Sequence, residues 1–182
     1  MNRRTTVSVL SLGCLIAALL ALPAAASPFG WGKFGEDVPF GASTSLSVDL
    51  GSNVSLSLSP NGANFSGNGS HVVTVTTTDV VGYALYVHAT SSTNMTNGSA
   101  TIAASANSSP APLAVNTWGF NTTGSTTDFI GMLTSNTRIK DTTGPYKNGD
   151  PTTVTYGALV DAVQPAGTYN TAVTYTVVAK NQ

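Results

Sequence analysis

The chain has 182 residues, of which only 8% are charged, with seven Lys and Arg against eight Asp and Glu and a formal net charge of −1. A nucleic-acid binder needs a basic face to neutralise phosphates, and so few cations exclude one. The polar residues are Ser, Thr, Asn and Gly, which hydrogen-bond water without carrying charge, a composition common in secreted β proteins and cell-surface fibres.

Residues 1–26 read as a cleavable secretory signal peptide. Arg3 and Arg4 form a positive n-region, Val7 to Leu22 is an apolar run, Pro23 breaks it, and Ala24, Ala25 and Ala26 supply the small side chains that signal peptidase requires. Cleavage after Ala26 would start the mature chain at Ser27. A membrane span needs roughly 20 apolar residues, and this run is shorter and ends in a processing site, so no span is expected in the mature chain. Cys14 is the only cysteine and lies inside the removed segment, which leaves the mature domain without a disulfide. A lipid anchor at Cys14 is disfavoured, because Ser11 stands where a lipobox prefers Leu. The mature chain keeps Lys33, Arg138, Lys140, Lys147 and Lys180 against eight acidic residues, a net charge of about −3.

Residues 27–44 form an aromatic and glycine-rich segment. Phe29, Trp31, Phe34, Val38 and Phe40 among Gly30, Gly32 and Gly35 make it too apolar for an ordinary exposed tail. Two fates lower its free energy, at roughly 25 cal/mol per Å² removed from water. It packs on its own domain, or Phe29, Trp31, Phe34 and Phe40 mediate assembly by adding a strand to another copy of the chain.

From residue 45 to 182 apolar residues alternate with polar ones, and no stretch holds a helical period, so the domain reads as all-β. Ser45 to Leu50 and Val54 to Ser59 alternate around Gly51-Ser52-Asn53, as a hairpin or as one strand continuing past a bulge. Asn61 to Ser70 reads as a loop from its Gly, Asn and Ser. Strands follow at His71 to Thr78, Tyr83 to Ala89 and Ala100 to Ala104, the last ended by Pro110 and Pro112. Leu113 to Phe120 and Phe129 to Leu133 are the next strands, and Thr134 to Pro151 reads as a long polar loop. Thr152 to Asp161 and Thr168 to Lys180 close the series. Eight or so short strands with turn signals between them predict an immunoglobulin-like antiparallel β-sandwich. Seven Asn-x-Ser/Thr sequons, at Asn53, Asn64, Asn68, Asn94, Asn97, Asn107 and Asn121, follow from the composition.

Asn116-Thr117-Trp118-Gly119-Phe120, Thr153-Val154-Thr155-Tyr156-Gly157, and Gln164-Pro165-Ala166-Gly167-Thr168-Tyr169 running into Ala172-Val173-Thr174-Tyr175-Thr176-Val177 resemble a pattern of exported surface proteins from Gram-positive and candidate-phylum bacteria. More distantly the arrangement is similar to WxL domains, which attach noncovalently to peptidoglycan. The resemblance implies a β-sandwich outside the cytoplasm. The chain departs from WxL domains where Phe120 replaces Leu and where Tyr175 and Val177 replace Trp and Leu, so no wall-binding residue is carried over.

No enzymatic motif stands out. The histidines are His71 and His88, neither in a nucleophile–base pattern, and Asp128, Asp141, Asp150 and Asp161 read as turn or strand-end residues rather than a glycosidase pair. No cofactor is expected, and with no cysteine in the mature chain no zinc cluster. The loop from Asp141 to Asp150 has two carboxylates but not the ligand spacing of an EF-hand, which leaves calcium open. Arg138, Lys140 and Lys147 with Tyr146 make that region, together with Trp118, the candidate contact for an anionic wall polymer or a glycan, against the plainer reading of a solvated loop. After Lys180 come only Asn181 and Gln182, so no sorting signal or second apolar segment is expected. The sequence thus predicts a secreted, non-enzymatic structural or adhesive surface protein, with a pilus-like subunit or a wall-polymer-binding module as alternatives.

Overall fold

A computed structural model describes residues 45–180, which fall within one compact unit, Gly41–Gln182. The signal peptide, its cleavage site at Ala24, Ala26 and Ser27, and the segment 27–44 lie outside the described residues. Twelve strands follow in chain order: β1 Ser45–Asp49, β2 Ser59–Asn61, β3 Asn64–Thr78, β4 Gly82–Ala89, β5 Met95–Asn97, β6 Ala100–Ala104, β7 Ala111–Pro112, β8 Thr117–Asn121, β9 Asp128–Phe129, β10 Thr137–Asp141, β11 Asp150–Asp161 and β12 Val173–Lys180. No helix occurs among the described residues, hence none long and apolar enough to cross a membrane.

The expected all-β, immunoglobulin-like sandwich is what these strands build. A large sheet runs β1-β3-β11-β8-β6-β5 with β2 also on β3, and a small sheet runs β10-β4-β12. Pairing is antiparallel except for β6 with β8, which is parallel. The core is a single cluster between the two sheets: Val73 and Val75 from β3, Tyr83, Leu85 and Val87 from β4, Trp118 and Phe120 from β8, and Val154, Tyr156, Ala158 and Val160 from β11. Period-2 alternation puts these side chains on one face of each strand. The opposite face of the large sheet is covered at Gly119 and Gly157, cross-strand partners, by the buried Phe129 from the small β7-β9 pair. Glycine is required there because a Cβ on Gly157 would overlap the Phe129 ring.

Several boundaries differ from the expectation, each for a tertiary reason. Ser45 to Leu50 does not pair with Val54 to Ser59; β1 pairs with the far end of β3, Ser45 opposite Thr78 and Asp49 opposite Thr74. The supposed loop Asn61 to Ser70 is largely strand, because β3 ladders with β11 all the way from Asn64–Asp161 to Val75–Asp150. Its Gly67 and Gly69 are strand glycines over which residues 54–58 pass at close range. Inside the supposed loop Thr134 to Pro151 lies β10, paired with β4 across a bulge between Arg138 and Lys140. The strand expected from Leu113 begins at Thr117, that from Thr168 begins at Val173, and that from Phe129 to Leu133 shrinks to Asp128–Phe129 plus a bridge between Ile130 and Phe120.

Candidate functional site

The residues named from sequence do not gather into one site. Trp118 sits in mid-strand on β8, fully buried, and its indole Nε1 donates to the Thr93 carbonyl at 2.8 Å. Tyr146 packs edge-on against Tyr83 with ring centroids 5.8 Å apart, and its backbone N–H and carbonyl both bond Thr77. Of the three cations, Arg138 donates to Asp141 at 2.7 Å and Lys140 to Asp150 at 2.6 Å and to the Pro151 carbonyl, while Lys147 is exposed. Lys180 holds Asp141 from β12 and also donates to the Thr142 carbonyl. The two carboxylates of the calcium candidate are thus each taken by lysine: Asp141 by Lys180, Asp150 by Lys140 together with the Tyr83 hydroxyl at 2.7 Å. Among the described residues no three His, Cys, Asp or Glu come together as a metal site.

The site that geometry does bring together is a pair of adjoining clefts on the small-sheet side. One, of about 680 Å³, lies between residues 54–58 and the segment 161–171. The other, of about 470 Å³, lies between residues 50–56 and the start of β12, with Trp118, Tyr156 and His71 among its lining residues. They share Val54, Leu56, Met95, Asn170 and Thr171, and so form one groove; among the described residues that line it, Asp161 is the only carboxylate and His71 the only basic side chain.

In the second cleft three strands contribute a hydrogen-bonded chain that sequence reasoning missed. The Tyr175 hydroxyl of β12 lies 2.7 Å from His71 Nε2 of β3 and 2.6 Å from the Tyr156 hydroxyl of β11. The His71 ring also touches both tyrosine rings, at centroid distances of 5.4 and 5.9 Å. The available signal was alternation: Tyr156 and Tyr175 each occupy the apolar parity of their strand, where a hydroxyl must find a partner. His88 lies elsewhere on β4, with Nδ1 buried and unbonded among the described residues. Among the described residues neither histidine is hydrogen-bonded to a serine.

Burial pushes the Tyr156 hydroxyl up to about 12. It raises Tyr175 further, with the neighbouring Tyr156 adding its charge and hydrogen bond. Tyr83 rises too, first from burial and then from its bond to Asp150. A raised tyrosine keeps its proton in the folded state while the unfolded chain loses it from about pH 10. Stability from these groups is therefore full below pH ~10 and declines as pH climbs towards the folded values, by about 1.4 kcal/mol per pH unit for each of Tyr156 and Tyr175. Urea melts at stepped alkaline pH should show that decline, shallower in Tyr156→Phe; a flat profile from pH ~9 to ~12 would contradict this.

No family model matches the chain, and no curated protein matches it. Among solved structures it is similar to a chain from one described as "Chaperone-tip adhesin complex is vital for synergistic activation of CFA/I fimbriae biogenesis", with a TM-score of 0.48 and 13% sequence identity over 75% of this chain. The match spans 42% of that chain, less than half its length.

Proposed function

We propose that the chain is an exported structural or adhesive β-sandwich protein of the cell surface, without enzymatic activity. The observation that carries this reading is the groove, open and almost uncharged, on a sandwich whose chemically reactive side chains are already engaged by other residues of the domain. Arg138 and Lys140 hold carboxylates, His71 holds a tyrosine, and Trp118 is core. Such a groove suits an extended partner lying along it, since it offers apolar and amide surface rather than a placed acid and base. The N-terminal leader pattern and the Ser, Thr and Asn surface fit the same reading.

Fractionation of cells expressing the full chain tests it. The expected result is a mature polypeptide beginning at Ser27, recovered outside the cytoplasm, that is pulled down by neither purified peptidoglycan nor an immobilised glycan. Retention in the cytoplasm with residues 1–26 attached would overturn the surface reading. Firm binding to peptidoglycan would convert it to a wall-polymer-binding module, and turnover of ester, peptide or glycoside substrates that is lost in His71→Ala or His88→Ala would make the chain an enzyme.

A further inference from the structure

The small sheet has three strands, β10-β4-β12, and its two edges are finished differently. At one edge β10 has five residues, carries Arg138, Lys140 and Asp141, and is broken by a bulge; short length, charge and bulges are the devices that keep an edge from pairing. At the other edge β12 runs for eight residues, Val-Thr-Tyr-Thr-Val-Val-Ala-Lys, with a single charge at its very end and no bulge in its register with β4. The bond from Thr90 N–H to the Ala172 carbonyl sets the phase of that ladder, so Val173, Tyr175, Val177 and Ala179 turn their N–H and C=O groups away from β4. No described residue receives them.

The layer beneath that edge is also uncovered. Leu46 and Val48 lie opposite Thr77 and Val75, hence on the same face as those core residues. Thr77 and Val75 are 0% exposed, whereas Leu46, Val48 and Leu50 are 38%, 36% and 41% exposed. Leu50 lines the second cleft together with Val173 and Tyr175, so bare apolar face and free edge meet in one place.

We propose that this place is a strand-acceptor site and that its occupant is the segment 27–42 of a second copy of the chain, paired along β12. The proposal rests on the surface-structural reading and names its partner. No charged residue is among those lining the cleft, which calls for an apolar strand. Residues 27–42 bring Phe29 and Trp31, then Val38, Phe40 and Ala42, at alternate positions, enough chain to match eight residues of β12. Pro28 and Pro39 stand 11 residues apart, so an eight-residue strand drawn from this segment holds only one of them and can turn it to the unpaired outer edge. Each copy then has one donor and one acceptor, a head-to-tail arrangement that grows into a chain of subunits.

Sedimentation of the full-length, exported protein over a range of concentrations tests this. Wild type should form concentration-dependent oligomers. Ala179→Pro deletes one outward N–H at a small side chain and should lose them, as should a donor variant carrying Phe29→Ser, Trp31→Ser, Val38→Ser and Phe40→Ser. Mixing the two variants should restore complexes that stop at two chains, because only one donor and one acceptor remain intact. Hydrogen exchange gives a readout without mutation: the amides of Val173, Tyr175, Val177 and Ala179 should gain protection in the oligomer. Wild type that stays monomeric at every concentration, variants that assemble like wild type, or oligomers without that protection would overturn the proposal. A monomer recovered outside the cell would overturn it while leaving the surface reading intact; a chain held inside with its leader would overturn the surface reading itself.

Discussion

Trp118→Ala is expected to destabilise the domain by about 3 to 5 kcal/mol. The indole is fully buried at the centre of the large sheet, on β8 between β11 and β6, with its ring centroid 6.3 Å from that of Tyr156. Truncation removes the largest fully buried side chain among the described residues, opens a cavity under the second cleft, and strips the Thr93 carbonyl of its donor. Against a total of about 5 to 15 kcal/mol for a domain, that loss brings the protein close to unfolding at ordinary temperature. Trp118→Phe refills part of the volume but leaves the carbonyl unpaired, so it should cost less, about 1 to 3 kcal/mol. Urea titrations check both: the midpoint should fall while the slope stays constant, the mark of lost stability without a change in surface exposed. A sugar-stacking tryptophan behaves oppositely. If Trp118→Ala kept its urea midpoint and lost binding to a glycan, the core assignment would be wrong.

The same residue shows where the sequence was informative. Trp118 and Phe120 on one parity, Val154, Tyr156, Ala158 and Val160 on another strand, and Tyr83, Leu85 and Val87 on a third all face inward as their alternation requires. Strand existence and facing were legible because a half-buried strand writes its burial into every second residue. Pairing was not legible. Nothing in Ser45 to Asp49 indicates that its partner is the end of β3 rather than Val54 to Ser59, since either neighbour accepts an alternating strand. Lys140 looked like part of a free cationic patch because its carboxylate partner is set by tertiary structure: the bulged register of β10 on β4 brings Lys140 to Asp150 at the start of β11, and the ladder of β12 likewise brings Lys180 to Asp141, which Arg138 also holds from three residues away. The His71, Tyr156 and Tyr175 chain was hidden for the same reason, its members lying up to 104 residues apart. Composition actively misled at Asn61 to Ser70. Glycine ordinarily marks a loop, but in β3 it marks a strand that another segment must approach closely.

That close approach carries the second large expected effect. Gly67→Ala should cost on the order of 3 kcal/mol, and Gly69→Ala somewhat less, because of what lies above each. Residues 54–58 lead into the β2–β3 hairpin, turned at Gly62 with φ of 62°, yet they do not ladder beside β3. They cross its inward face, with Val54 and Leu56 packed against the core. A Cβ on Gly67 would overlap the Ser57 carbonyl, a backbone atom that no rotamer change can move. On Gly69 it would stand 2.9 Å from the Ser55 carbonyl and 3.1 Å from Leu56 and Val54, a tighter fit than packed side chains accept but one with partly flexible neighbours. Relief requires the crossing segment to lift, which uncovers Val54 and Leu56, each worth about 1.5 to 3 kcal/mol when fully buried and less here because both are partly exposed. Alanine at an exposed turn glycine such as Gly124, where no atom lies within 4 Å but φ is 75°, provides the comparison: backbone strain alone, of about 1 kcal/mol. Thermal melts should therefore rank Gly67→Ala below Gly69→Ala and Gly69→Ala below Gly124→Ala. Proteolysis should separate the causes, with new cleavage between Leu50 and Ser59 in Gly67→Ala and none there in Gly124→Ala. If Gly67→Ala melted like wild type and kept that segment protected, residues 54–58 would not lie across β3, and both clefts beside them would have to be redrawn.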